Sequence, residues 1–248
     1  MNDEFLNSSK SHTKLFKMLL FTLLIVPLLI LVYGCVNPFD SYDYGLRVSV
    51  SGDAYFNGLL LSDKKSVRAT KKELVAAAED FSDVTYLDVA SSLDDMINTD
   101  GTILGKIENE LKYLGTTFYL TNTGDKSCDY LYKIKIDDEL KKVSKAIRIL
   151  VVEGGETSES YDSLKLYKAF DEAECLYTLL APEVNTFVND KIVCENIIRD
   201  FKPGQIKKFT FIMWIDSEDI DFTPDMLEGK IKLSLEFSTT LCKELTLR

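Results

Sequence analysis

Residues 18–36 run for nineteen positions without one charged side chain, from Met18 through Pro27 to Val36. As a helix rising about 1.5 Å per residue, this stretch reaches roughly 28 Å, close to the roughly 30 Å hydrocarbon core of a bilayer. Lipid offers the backbone no hydrogen-bond partner, so a lone spanning segment must be helical. A globular surface helix of this length would carry a charged face. This run has none. It is therefore read as one transmembrane helix with the lipid bilayer as its partner. Pro27 sits mid-span and is expected to kink it, which membrane helices tolerate.

The flanks set the orientation. Lys10, Lys14 and Lys17 precede the run, whereas Asp40 and Asp43 follow it before the first later cation, Arg47. The excess of cations before the span predicts a cytoplasmic leader at 1–17 and an extracellular remainder. Three fates are open to the span: a retained anchor, a cleaved signal peptide, or a lipoprotein signal lipidated at Cys35 in Val32-Tyr33-Gly34-Cys35. The long leader and long apolar run favour the anchor. Residues 37–45 read as a linker, with Tyr42 and Tyr44 placed for the outer headgroups.

The residues after Cys35 hold 26 Lys+Arg against 38 Asp+Glu. No positive field exists for phosphate contacts, so nucleic acid is excluded as a partner. The chain's only histidine, His12, lies before the span. Ser–His and Cys–His catalysis outside the membrane is thereby excluded within this chain. No HExxH zinc motif is present either.

The exterior part reads as short strands separated by turn residues. Arg47–Ser51 alternates with period two, and Tyr55–Leu61 is read as a second strand. Thr70-Lys-Lys-Glu73 is a capping-box pattern before Leu74-Val-Ala-Ala-Ala78, which predicts a helix over 71–80. Residues 82–110 are read as irregular with a short helix near Ala90–Ile97 and a turn at Asp100-Gly101. Strands are expected over 113–121, 130–136, 146–152, 164–170, 207–215 and 229–237, with a Pro-Gly turn at Lys202–Gln205. Together these predict an antiparallel β-sandwich of jelly-roll or immunoglobulin type over 46–248. A helical insertion at about 70–110 is expected to cover an edge or an end of it.

Three stretches carry a family resemblance. Thr117-Phe-Tyr-Leu-Thr-Asn-Thr-Gly124 resembles a "TFYLKNTG" strand and turn in N-terminally anchored surface proteins of Gram-positive bacteria. Lys145-Ala-Ile-Arg-Ile-Leu-Val151 is similar to their "AIRVMV" strand. Phe201-Lys-Pro-Gly204, Lys208–Ile215 and Gly229–Leu233 are similar to their "FxPG…KFTVVIWLEG…GGKIKLSM" ending. The order agrees over about 113–237. The group is distantly TasA/camelysin-like, which implies a surface location and a sandwich, with matrix assembly in some members. Relatives carry an acidic stretch with a Cys after the Trp; here Asp216–Asp221 follows Trp214 without one.

Few residues stand out for chemistry. Asp216, Glu218, Asp219 and Asp221 crowd one loop, as Ca²⁺ ligands do, although the EF-hand pattern is absent. The alternative is a solvated acidic loop. Cys128, Cys175, Cys194 and Cys242 allow three disulfide pairings. Cys175–Cys194 would close an excursion containing Pro182, and reduced thiols are the alternative. Trp214 is read as a core aromatic rather than a ligand platform. No catalytic residue or cofactor is assigned. The expected function is a structural or adhesive role through contacts with surface or matrix proteins, including other copies of itself. The alternative is a binding module for glycan, peptide or Ca²⁺.

Overall fold

The alternation of Tyr130, Tyr132, Ile134 and Ile136 against Leu131, Lys133 and Lys135 makes one strand with an apolar and a polar face, and the fold is built by repeating that device. A computed structural model describes residues 45–65, 70–77, 84–107, 110–154, 161–169 and 184–242, the side chains of 102–107, 110–112 and 240–242 aside. The apolar run at 18–36, Cys35, Cys175 and the linker up to Tyr44 lie outside the described residues. No helix among the described residues is long and apolar enough to cross a membrane.

In chain order the elements are β1 (Gly45–Val50), α1 (Gly52–Phe56), β2 (Leu59–Ser62), β3 (Glu73–Ala77), α2 (Tyr86–Ser91), α3 (Leu93–Asn98), β4 (Gly101–Ile107), β5 (Glu110–Asn122), β6 (Cys128–Leu140), β7 (Ile147–Gly154), β8 (Tyr161–Lys168), β9 (Val184–Thr186), β10 (Ile192–Phe201), β11 (Ile206–Ile215) and β12 (Lys230–Cys242). They form two sheets. The first has the order β10-β6-β12-β1-β3. The second runs β2-β5-β11-β7-β8-β9, with β4 also paired to β5. Their inner faces meet in a single core containing Val48, Ile134, Leu235, Phe118, Ile149 and Phe211. Its centre is aromatic, with rings in the offset-stacked and edge-on arrangements that aromatic pairs prefer. Phe209 stacks on Phe118 at 5.5 Å and meets Phe237 edge-on at 5.3 Å.

The mainly β architecture agrees with the sequence reading, with four differences. Most strand pairs are antiparallel, but β1 pairs with β12 and β8 with β9 in parallel. Tyr55 and Phe56 belong to α1 rather than to a strand. The Ser51 side chain accepts the Ala54 N–H at 3.3 Å and caps that turn. Serine is favoured at this position because its oxygen satisfies an otherwise orphaned donor. The segment predicted as a helix over 71–80 holds β3 instead. Pairing along β1 and the 2.6 Å ion pair of Glu73 with Arg47 outweigh the capping pattern. Tertiary context of this kind overrides local propensity. Finally, the helices of the 70–110 insertion cover a face, not an edge or an end. Val89, Leu93, Met96 and Ile97 of α2 and α3 bury Leu150, Val152, Leu166, Ile212 and Trp214 on the outer side of the second sheet. Trp214 is thus a core residue, as read, but of this second layer. The capping box that does form is Thr85 with Asp88, at the start of α2.

Candidate functional site

The sandwich has two ends of different chemistry. At one end β1 begins at Gly45, opposite Ala77 of β3 and Lys232 of β12. At the other, β1 passes into α1, and β5, β10 and β11 reach their turns.

The acidic loop lies at the Gly45 end, just past β11. Asp216 is fully buried and pairs with Nε of Arg148 on β7 at 3.2 Å. Asp219 forms a second ion pair with the same guanidinium. Arg148 is 1% exposed, lies between Trp214 and Lys168 in the strand register, and is held by carboxylates on two sides. The loop is pinned further by the Asp216 N–H donating to the Ala146 carbonyl (2.9 Å) and by Asp216 Oδ1 accepting the Glu218 N–H (3.1 Å). Glu218 and Asp221 are exposed. Of the four residues read as Ca²⁺ ligands, the fold therefore gives two to a cation of the chain's own. No group of three acidic, His or Cys side chains able to hold a metal occurs among the described residues. The signal for this arrangement is a charged residue inside the apolar run Ile147–Val152, since a buried charge needs a counter-charge.

The same end carries an open cleft of about 510 Å³. Phe187 forms its apolar floor, and Lys142, Lys145, Glu139 and Asp190 give it mixed charge. Lys141 and Lys142 both adopt left-handed backbone (φ 61° and 54°) to turn the chain out of β6. Non-glycine residues seldom do so. Glu139 accepts the Ser144 N–H at 2.9 Å, which fixes one wall.

At the opposite end, two of the stretches that carried the family resemblance meet. Asn122, fully buried, joins two loops. Its side-chain amide donates to the carbonyls of Phe201 (2.8 Å) and Lys126 (2.9 Å), and its Oδ1 accepts the Gly124 N–H (3.0 Å). Its backbone binds Gly204 (2.7 Å) and Gln205 (3.0 Å) in the Pro-Gly turn. Thr123 ties in the α1 loop, donating both its N–H (2.7 Å) and its hydroxyl (2.8 Å) to the Gly58 carbonyl. Gly58 is required there: its φ is +90°, and a Cβ would sit 2.3 Å from the Gly124 nitrogen. Only glycine takes that backbone without steric cost. On this locked base α1 presents Tyr55, 40% exposed, and Phe56, 88% exposed. Phe56 is the main omission of the sequence reading, which places it in a strand.

Two of the cysteines are core residues. Cys194 on β10 is a buried thiol, and burial pushes it up to about 11 from its ordinary 9.0. At neutral pH it stays protonated and unreactive. Its predicted disulfide partner, Cys175, lies outside the described residues. Cys128 at the start of β6 is buried as well. Burial also raises the hydroxyls of Tyr130, Tyr132 and Tyr167 above their ordinary range. Tyr132 donates to the buried Glu153 (2.8 Å), which Lys207 neutralises at 3.1 Å. These groups seal the core; no nucleophile–base pair emerges among them.

Compared with protein-family models and with curated proteins, the chain matches none.

Proposed function

We propose that this chain is a membrane-anchored, extracellular contact protein of a bacterial surface, non-catalytic, with residues 18–36 in the bilayer and the β-sandwich outside. One observation carries the contact reading: an almost fully exposed phenylalanine on a rigid base, at the end of the sandwich opposite the strand end where Gly45 begins. A lone exposed apolar side chain is ordinary on a protein surface. Phe56 differs in having Tyr55 beside it, ring to ring at 6.2 Å, and a loop base tied down by the hydrogen bonds of Asn122 and Thr123. Rigid aromatic anchors of this kind lose little entropy on binding. The resemblance to anchored surface and TasA/camelysin-like proteins supports the location, and supports a jelly-roll-type relation for the sandwich. Partners are surface or matrix proteins, including further copies of this chain.

The reading is tested on intact cells expressing the full chain, using a membrane-impermeant amine reagent and alkaline carbonate extraction. Modification of lysines in 45–248 before lysis, with the chain retained in the carbonate-washed membrane, is expected. Modification only after lysis would overturn the orientation, and release by carbonate would overturn the anchor.

A second reading, a module binding a glycan or peptide, is favoured by the cleft at the Gly45 end. Its mark is a rise in thermal midpoint with ligand that Lys142→Ala abolishes.

A further inference from the structure

We infer that Cys128 and Cys242 are the two halves of a cross-strand disulfide that fastens the last residue of β12 to the first residue of β6. Sequence alone allows three pairings among the four cysteines beyond the apolar run. The sheet register removes most of that freedom. In the antiparallel pair of β12 with β6, Cys242 stands directly opposite Cys128. Directly opposed residues of such a pair have Cα atoms about 4.5 or 5.5 Å apart, and both values fall inside the roughly 4.4–6.8 Å window that a disulfide spans.

Cys194 is excluded by the same strand. It stands opposite Ile134 of β6, while Cys128 stands opposite Phe201. Six strand positions separate Ile134 from Cys128, about 20 Å at the usual rise per residue. That is far beyond the roughly 7 Å limit for bridging two Cα atoms. Cys242, being beside Cys128, is equally far from Cys194. Every pairing that joins Cys194 to Cys128 or Cys242 is thereby ruled out.

Cys128 is 3% exposed, so the bond is made as β12 docks, before the sulfur is covered. The oxidant is an external small disulfide such as oxidised glutathione. A cysteine thiolate attacks it, one glutathione leaves as the thiol, and a mixed disulfide forms. The second cysteine thiolate then attacks the protein-side sulfur, the S–S bond between the two cysteines forms, and the second glutathione leaves. The chain loses two hydrogens and two glutathione thiols are gained. The inference needs no particular cellular location and stands apart from the surface reading.

The test uses the full chain in detergent, reduced and unfolded in denaturant, then refolded in a glutathione redox buffer, returned to denaturant with the alkylating reagent present, and digested with trypsin. Cleavage at Lys126, Lys133, Lys232 and Lys243 isolates peptides 127–133 and 233–243. The expected result is these two peptides joined, released by reductant. Recovery of both peptides alkylated, or of 127–133 joined to the Cys175 peptide 169–191 or the Cys194 peptide 192–199, would overturn the inference. Cys242→Ser supplies the second measurement, since it changes only the last residue of a strand. It is expected to leave Cys128 alkylated and to remove the drop in thermal midpoint that reductant causes in the wild type. Cys128 still cross-linked in that variant would also overturn it.

Discussion

The two ends of the sandwich solve the same problem, that of holding loops onto a β core, with opposite chemistry. At the Gly45 end the clamp is ionic: one buried guanidinium, Arg148, holds Asp216 and Asp219 of a single loop. At the Phe56 end the clamp is neutral: one buried amide, Asn122, joins two loops through hydrogen bonds to backbone, and its neighbour Thr123 ties in the third. An ionic clamp is costly to break in part, because removing one charge strands the others away from water. A neutral clamp leaves only polar backbone groups unsatisfied. The difference shows why acidic residues close in sequence need not form a metal site. It also shows how a turn motif can serve structure while an unremarkable neighbour, Phe56, makes the exposed feature.

The sharpest way to break this contrast is Arg148→Met. It leaves Asp216 and Asp219 buried without their cation and is expected to cost about 3–5 kcal/mol. Urea unfolding measures it, and adding Asp216→Asn with Asp219→Asn should recover most of the loss. If the single variant were as stable as the wild type, the ionic clamp would be wrong. Asn122→Ala should cost less, about 2–3 kcal/mol, from the carbonyls of Phe201 and Lys126 and the Gly124 amide left unpaired. Amide exchange would then rise at the Phe56 end and not near Arg148.

A smaller effect comes from pH. Cys194 and the core tyrosines have folded values raised above their unfolded ones. The native state therefore holds protons that the unfolded chain releases. The contribution of Cys194 is fully present below pH 9.0 and is lost as pH rises through about 11, where it ionises in the folded state, whereas that of the tyrosines starts to fade only above their ordinary 10.0. Urea midpoints should fall over that window, and Cys194→Ala should flatten its first part. The smallest stability effect belongs to Phe56→Ser, because the ring is exposed. Surface substitutions of this kind stay within about 0.5 kcal/mol of the wild type. A large loss there would mean the ring is part of the core.

Much of the fold is legible because β6 and β11 alternate or run apolar long enough to leave one reading. β6 reproduces the expected faces residue by residue. β10 escapes the sequence reading because Cys194-Glu-Asn-Ile-Ile-Arg199 does not alternate cleanly; it is an edge strand with register shifts at both ends and Asp200 at φ 56°. β3 is misread because a local capping pattern says nothing of the vacant side of β1 beside it. The parallel β1–β12 pairing joins the first described strand to the last, where no local signal exists. At the candidate sites the acidic loop and the charge of Arg148 inside an apolar run are both visible in the sequence, but their pairing is not, since a strand's register decides which buried charge meets which loop.

The most direct test of the contact reading is photo-crosslinking on intact cells, with a benzophenone side chain placed at position 56 in one strain and at position 189, in the cleft at the other end, in a second. The account predicts a discrete protein adduct from position 56 that is absent from position 189. Adducts from position 189 alone, or from neither, would contradict it.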